Sequence, residues 1–254
     1  ENRSRSSIRL PGEQEQFVKD LIATGKPVVL VMFGGRPMVI DAIADGCAAI
    51  IEAWYPGEEG ANALTDILTG AVNPSGKLCV SYPRTEAGEL YCYNNQVEPE
   101  KVAWPFGFGL SYSAFKYDNM EIEGASTEYP TDTEWITIGC DVTNVSSAAG
   151  AEIVQLYASP ASGQPLKPLQ LKGFTRVVLA AGETTHVTFR LALDQLAWFT
   201  VNGPDAENAG FWTISDGDYT LKIGGSSDSL PLSATLSLSG APVTKALRDH
   251  YFAE

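Results

Sequence analysis

Hydrophobic positions near the start of the chain recur with the period of a helix. Residues 13–24 place Phe17, Leu21 and Ile22 near helical spacing, which predicts an amphipathic helix with these side chains on its apolar face. Gly25 follows as a typical C-terminal stop. The first element is therefore predicted to be a helix that packs one face against a core.

The next segments alternate between strand-like and helical patterns. Residues 28–33 form a continuous apolar run closed by two glycines, which is typical of a strand covered on both faces of a parallel sheet. The order repeats with a short helix at 37–44, a strand at 48–54 and a helix at 61–69. Alternation at this pitch predicts right-handed βαβ crossovers and therefore an α/β domain.

After residue 116 the hydrophobic period changes to two. Turn residues separate the alternating segments, which are 134–142, 151–157, 183–191 and 217–224. Short strands of this kind predict an antiparallel β-sandwich of immunoglobulin or fibronectin type III character. We therefore expect an α/β domain over residues 1–116, a β-sandwich over 117–240 and a tail or short helix over 241–254.

Composition and charge narrow the possible partners. The chain has 254 residues with 17 basic and 31 acidic side chains, which gives a net charge of -14. A phosphate backbone or an anionic bilayer repels such a protein, so neither nucleic acid nor a membrane is an expected partner. The longest apolar run is far shorter than the roughly 20 residues that span a bilayer. The polar first residues carry no apolar leader, but a mature or truncated chain has the same appearance, so secreted, periplasmic and cytoplasmic locations stay open.

Cysteine and histidine positions do not indicate a metal site. The four cysteines are Cys47, Cys79, Cys92 and Cys140. They include no C-x-x-C pair and are expected to be small buried side chains or incidental thiols. His186 lies in an alternating strand and is expected to face solvent, and His250 lies in the tail. We therefore expect no metal, and no glycine-rich phosphate or dinucleotide loop indicates a cofactor.

Four carboxylates are the remaining candidates for chemistry. They are Glu1, Glu52, Glu58 and Glu59. The last two precede a helix, where an acid interacts favourably with the helix dipole, so capping is their expected role. Glu52 lies in a strand and is expected to pair with a nearby Arg or Lys. Glu1 begins a polar loop, and loops on a rigid scaffold often carry catalytic residues, although composition alone favours a frayed terminus.

Ordered sequence blocks spread over the chain resemble one known family. In the first block Glu1 is followed four residues later by Arg5, then by a hydrophobic-x-Leu-Pro segment and a Gln that opens a helix. The other blocks are segments 25–27, 35–37, 52–60, 73–84, 104–112 and 169–174. Together they are similar to the C-terminal portion of a family 3 glycoside hydrolase of the β-glucosidase and β-xylosidase type.

The resemblance implies a fold and a reaction. In that family a (β/α)8-type barrel precedes an α/β sandwich domain, and many members add a fibronectin type III-like domain. This chain resembles the last two, with a mainly parallel sheet in the first and an antiparallel sandwich in the second. The resemblance implies that Glu1 is the general acid/base and that the nucleophilic Asp comes from a barrel absent from this chain. The implied reaction is retaining hydrolysis of terminal non-reducing β-D-glycosyl residues, without a cofactor.

The same resemblance sets the expected substrate and partner. The substrate is expected to be a β-glucoside or β-xyloside oligosaccharide, with β-glucosidase activity favoured. Because a lone acid/base cannot form a glycosyl-enzyme, the isolated chain is expected to be inactive and to need the N-terminal barrel domain of the same enzyme. The alternative is a non-catalytic carbohydrate-binding or scaffold module. Trp54 and Tyr55 are candidates for sugar contact from a strand end, although core packing is favoured for both.

Overall fold

The computed structural model describes residues 5–86, 99–128, 135–160, 169–201, 210–240, 243–245, 249 and 251–253. These residues form two compact units. The first unit takes its described residues from Glu1–Asn73, Leu78–Tyr93 and Val97–Phe106, and the second from Pro74–Lys77, Asn94–Gln96 and Gly107–Glu254. The boundary expected at residue 116 stays a prediction.

The first unit is an α/β arrangement. Its elements are α1 (Gln14–Ala23), β1 (Val29–Met32), α2 (Asp41–Ala44), β2 (Ala49–Glu52), α3 (Gly60–Thr69), β3 (Tyr82–Pro83) and β4 (Val102–Trp104). Strands β1 and β2 are parallel, with Val29 opposite Ala49 and Met32 opposite Glu52, which confirms the predicted parallel pairing. Strands β3 and β4 are antiparallel. The buried core of this unit contains Val18, Met32, Ile40, Ile43 and Tyr82.

The predicted apolar face of helix α1 is confirmed for Ile22 and wrong for Phe17 and Leu21. Val18 is buried, and Ile22, one turn further along, packs against the same core. Phe17 is 63% exposed and Leu21 is also exposed. Because both pairs have the four-residue spacing of a helix face, the sequence offered two adjacent apolar stripes, and the prediction chose the wrong one for Phe17 and Leu21.

Two further expectations for this unit need correction. Val29 is 46% exposed and Phe33 is exposed, so the expectation that the strand at 28–33 is covered on both faces is wrong for these two residues. The second helix begins at Asp41 and not at residue 37. The backbone before it is extended because Val39 forms a parallel bridge with Arg9 and donates its N–H to the Ile8 carbonyl at 2.9 Å.

The second unit is a β-sandwich. Its strands are β5 (Phe115–Glu123), β6 (Ser126–Glu128), β7 (Trp135–Asn144), β8 (Gly150–Ser159), β9 (Gln170–Leu179), β10 (Thr184–Ala192), β11 (Trp198–Val201), β12 (Gly210–Ile214), β13 (Gly217–Gly224), β14 (Leu232–Ser239) and β15 (Val243–Lys245). In the described part of the chain, the sheet orders are β10-β7-β5, β6-β14-β13-β8-β9 and β11-β12-β15. Neighbouring strands are antiparallel, except that β6 and β14 are parallel.

One continuous apolar core fills this sandwich. It combines Ile138 of β7 and Phe189 of β10 with Leu156 of β8, Leu221 of β13 and Leu236 of β14, all of which are buried. Strands β7, β10, β13 and β14 bury largely alternate side chains, as the period of two predicts, whereas β8 buries side chains on both of its faces. The fold class of an α/β unit followed by an antiparallel sandwich is therefore confirmed.

The C-terminal segment differs from the tail or short helix that was expected. Strand β15 pairs antiparallel with β12, where Val243 lies opposite Ile214. Further on, the Ala253 N–H donates to the Lys172 carbonyl at 2.7 Å. The edges of existing strands offer free backbone groups to this segment, and the short sequence pattern alone gave no sign of that pairing.

Candidate functional site

Residues 5–11 form the N-terminal loop, the part of the implied acid/base block that the structure describes. Glu1 itself lies outside the described residues. Within the loop, the Arg5 guanidinium donates to the Arg9 carbonyl at 2.8 Å. Arg9 in turn donates through its guanidinium to Glu15 of α1 at 2.9 Å. Most of the loop is exposed, but Leu10 packs against the core of the first unit, so polar contacts and partial burial together hold the loop.

Arg36 is the first anchor of the N-terminal loop. It follows β1, and its guanidinium donates from Nη1 to the Arg5 carbonyl at 3.0 Å and from Nη2 to the Ser7 carbonyl at 2.7 Å. A planar guanidinium presents several N–H donors in fixed directions and can therefore bind two acceptors at once. A lysine ammonium lacks this fixed arrangement of donors. One side chain therefore holds two backbone groups of the loop.

Glu86 is the second anchor. Its Oε1 accepts a hydrogen bond from the Ser7 hydroxyl at 2.5 Å and from the Ile8 N–H at 2.8 Å. The Ser7 hydrogen bond, together with the Ile8 N–H, holds the pKa of the Glu86 carboxyl below its ordinary value of 4.5, against an opposing effect of desolvation. The ionised carboxylate is thus the form that binds the loop.

We expect the contact between Glu86 and the loop to be lost in acid. Because the folded pKa is depressed, the anchoring contribution is complete above about pH 4.5 and disappears as the pH falls through the folded pKa. The amide resonance of Ile8 should follow this titration in an NMR pH series, with a midpoint below 4.5. Glu86→Gln should abolish the transition, whereas a midpoint at or above the ordinary value would contradict the proposed anchoring.

Arg36 follows the carboxyl end of β1, which is hydrogen-bonded to the residues after β2. The Gly34 N–H donates to the Trp54 carbonyl at 3.2 Å, and Trp54 adopts a positive φ of 50°. The Tyr55 ring lies so close to Gly35 that a Cβ there would stand 2.8 Å from a ring carbon. A side chain at position 35 would therefore require the exposed Tyr55 ring to move.

The two aromatic candidates for sugar contact have different environments. Trp54 packs against the core of the first unit, with its ring centroid 6.4 Å from that of Tyr82. Core packing is thereby confirmed for Trp54. Tyr55 is 73% exposed, so the expectation that it packs in the core is wrong. Its exposed ring lies at the carboxyl edge of a parallel pair of strands, where α/β folds bind ligands.

Glu52 is satisfied by neutral groups. It accepts hydrogen bonds from the Tyr82 hydroxyl and from the Trp54 N–H, the latter at 3.0 Å. Within the described residues no ion pair involves Glu52, so the expected Arg or Lys partner is not observed. Burial, together with the Glu52 hydrogen bond and charge, raises the pKa of the Tyr82 phenol far above its ordinary value. Glu52 is thus a structural acceptor at the end of β2.

Replacing Tyr82 by Phe should destabilise the first unit by about 2 kcal/mol, because it removes a hydrogen bond to a charged acceptor in a buried site. Urea unfolding followed by tryptophan fluorescence measures the loss, since the rings of Trp54 and Trp104 flank Tyr82. The control is Tyr55→Phe at an exposed position, where the change should stay below about 0.5 kcal/mol. Equal losses in the two variants would contradict this role of the Tyr82 hydroxyl.

The acids before α3 do not cap it in the usual way. Glu59 occupies the N-cap position of α3, but its side chain makes no capping hydrogen bond to the backbone. Its Oε2 accepts instead from the side-chain amide of Asn62 at 2.5 Å. Glu58 is exposed. Glu59 therefore occupies the N-cap position, as expected. The expected capping hydrogen bond from its side chain is not formed.

His186 is the histidine that lies within the described residues. His186 lies in the second unit, partly exposed as expected, and its Nδ1 is 2.8 Å from Asp141 Oδ1. His250 lies outside the described residues. Across the described ranges no group of three or more His, Cys, Asp or Glu residues is arranged to hold a metal ion.

The described cysteines have three different environments. Cys140 is buried, Cys47 is intermediate and Cys79 is exposed, and all three are free thiols. Cys92 lies outside the described residues. Cys140 is therefore a small buried side chain, and Cys79 fits the alternative expectation of an incidental thiol.

Arg36 and Glu86, which hold the N-terminal loop, were not among the site residues predicted from the sequence. The Gly-Arg-Pro segment at 35–37 belongs to the family resemblance, and its position directly after a predicted strand was a usable signal for Arg36. Glu86 gave none, because its contacts with Ser7 and Ile8 arise only when chain segments nearly 80 residues apart fold together.

Comparison with known families matches both units. Residues 1–112 match the glycosyl hydrolase family 3 C-terminal domain, and residues 152–227 match the fibronectin type III-like domain. Among the described helices, none is both long and apolar enough to cross a membrane.

Individual relatives match most of this chain. A beta-xylosidase from Formosa agariphila is 33% identical over 242 residues, covering 89% of this chain and 32% of that protein. Beta-glucosidase B from Emericella nidulans is 32% identical over 259 residues, covering 88% of this chain and 29% of that protein. The crystal structure of a GH3 beta-glucosidase from Bifidobacterium adolescentis has a TM-score of 0.80 at 29% identity, covering 92% of this chain and 36% of that chain. The chain thus spans about a third of the length of these proteins.

Proposed function

The chain belongs to glycosyl hydrolase family 3, whose C-terminal domain and fibronectin type III-like domain it carries, and on this premise we propose that it is part of a retaining β-glycosidase. In this proposal Glu1 is the general acid/base, and a nucleophilic Asp belongs to an N-terminal barrel domain. The observation that carries the proposal is the family match over residues 1–112, which includes Glu1 and the N-terminal loop.

The proposed chemistry has two steps. In the first, the nucleophilic carboxylate attacks the anomeric carbon, the glycosidic C–O bond breaks, and the Glu1 carboxyl gives its proton to the leaving oxygen. In the second, the Glu1 carboxylate removes a proton from water, and the resulting nucleophile releases the sugar from the enzyme with its original configuration. Retaining geometry requires the two carboxyl groups to lie about 5–5.5 Å apart.

The proposed substrate is a terminal β-D-glucoside, with β-xyloside as the closest alternative. Relatives of similar identity include a beta-xylosidase and a beta-glucosidase, which supports a β-glycoside without deciding the sugar. Residues of the barrel are proposed to contribute most of the contacts that select the sugar. The fibronectin type III-like unit is proposed to support the fold without contributing a catalytic group.

Expression of the complete open reading frame that contains this chain tests the proposal. We expect its product to hydrolyse phenyl β-glucoside, the chain expressed alone to be inactive, and Glu1→Gln to abolish most of the activity of the complete product on this substrate. Hydrolysis by the chain alone, or full activity after Glu1→Gln, would overturn the proposal. Sugar binding by the chain with no hydrolysis by the complete product would instead identify a carbohydrate-binding module.

A further inference from the structure

We propose that Arg36 is a positioning residue for the acid/base, because its guanidinium fixes the backbone from which Glu1 extends. This inference rests on the proposed role of Glu1. It adds a residue that touches neither substrate nor the reacting atoms and acts through the N-terminal loop. The relevant contacts are those from Arg36 to the carbonyls of Arg5 and Ser7, at 3.0 and 2.7 Å.

The backbone that carries Arg36 is well defined. Arg36 follows β1, and the preceding Gly34 is tied to the end of β2 through its hydrogen bond to the Trp54 carbonyl. The Tyr55 ring packs closely over Gly35. Pro37 then restricts the conformation available to Arg36 itself. The guanidinium is thus attached to the parallel pair of strands rather than to another exposed loop.

Arg36 and Glu86 hold different parts of the N-terminal loop. Glu86 holds the Ser7 hydroxyl and the Ile8 N–H, and Val39 holds the Ile8 carbonyl. Arg36 is the anchor that reaches Arg5, the described residue nearest to Glu1. Loss of Glu86 would therefore loosen the middle of the loop, whereas loss of Arg36 releases the end that leads to Glu1.

The size of the effect follows from the geometry of proton transfer. Three residues separate Arg5 from Glu1. A small change in direction at Arg5 moves the Glu1 carboxyl by ångströms, since each residue adds up to about 3.5 Å of chain. A misplacement of about 1 Å can lower a rate by roughly 100-fold. Hydrolysis of substrates whose leaving group needs a proton should therefore slow most.

The test compares leaving groups in the complete enzyme. For Arg36→Ala, kcat/KM should fall by about 10- to 100-fold for phenyl β-glucoside, whose leaving group needs a proton, and far less for the dinitrophenyl glucoside, whose leaving group does not. Arg36→Lys should recover part of the loss, because the ammonium keeps the charge and can reach one carbonyl. Arg84→Ala is the matched control, since Arg84 is paired with Asp41 through a partly exposed contact at 2.6 Å.

Amide hydrogen exchange of the chain supplies a readout that needs no activity. Arg36→Ala should accelerate exchange across residues 5–9 while leaving the exchange of β1 and β2 unchanged, and Arg84→Ala should do neither.

The kinetic comparison separates this inference from the proposed function. If Glu1→Gln slows hydrolysis of phenyl β-glucoside more than that of the dinitrophenyl glucoside and Arg36→Ala does not, this inference is wrong and the proposed function stands. If Glu1→Gln shows no such difference between the two substrates, the proposed function fails. If Arg36→Ala slowed hydrolysis of both glucosides to the same extent, Arg36 would have a general structural role, and the inference would also be overturned.

Discussion

Replacing Glu1 by Gln is expected to lower kcat/KM of the complete enzyme for phenyl β-glucoside by about 10²- to 10⁴-fold, the usual contribution of a general acid. The amide of Gln keeps the size of the side chain but has no acidic proton to give to the leaving oxygen. For the dinitrophenyl glucoside the same parameter should change little, because that leaving group departs as a stable anion. Steady-state kinetics on the two substrates measures both effects.

A second measurement separates the loss of a base from damage to the fold. In the Glu1→Gln enzyme the glycosyl-enzyme formed from the dinitrophenyl glucoside should accumulate, because no base activates water. Added azide, an anion that needs no deprotonation, should then raise kcat and yield the β-glucosyl azide. Failure of azide to raise kcat, or an equal loss on both glucosides, would contradict the assignment of Glu1.

The sequence predicted the fold better than it predicted contacts within the site. Strand β13 spans Gly217–Gly224, as the alternation over that segment predicted, because one polar and one apolar face suffice to define a strand. The side on which a helix packs depends on neighbours, so Phe17 and Leu21 were assigned to the wrong face. Glu86 could not be found from sequence for a similar reason, since its role depends on a partner distant in the chain.

A buried ion pair in the second unit is the other feature with a large expected effect. Lys77 Nζ lies 3.0 Å from Glu152 Oε1, and the two side chains are only 14% and 8% exposed. The ammonium also donates to the Gly109 carbonyl at 2.9 Å, and the same carboxylate oxygen accepts the Ile153 N–H at 3.0 Å. The Tyr117 hydroxyl lies nearby, and burial together with the Glu152 charge raises its pKa. Both members of the pair are thus held by further hydrogen bonds.

Lys77→Met should lower the free energy of unfolding of the second unit by about 3 kcal/mol at neutral pH, since it leaves the Glu152 carboxylate buried without its cation. Amide exchange of β8 as a function of urea measures the stability of this unit.

Two comparisons isolate the pair from the loss of a long side chain. Lys77→Met combined with Glu152→Gln should recover most of the stability, because a neutral amide costs less to bury and still accepts from Ile153. Lys116→Met makes the same substitution at an exposed pair in the same unit, where Lys116 is 64% exposed and lies 2.9 Å from Asp118. That variant should lose at most about 1 kcal/mol. If Lys77→Met lost no more stability than Lys116→Met, burial would add nothing to the Lys77–Glu152 pair. If the losses of stability from Lys77→Met and Glu152→Gln were additive in the double variant, Lys77 and Glu152 would act independently.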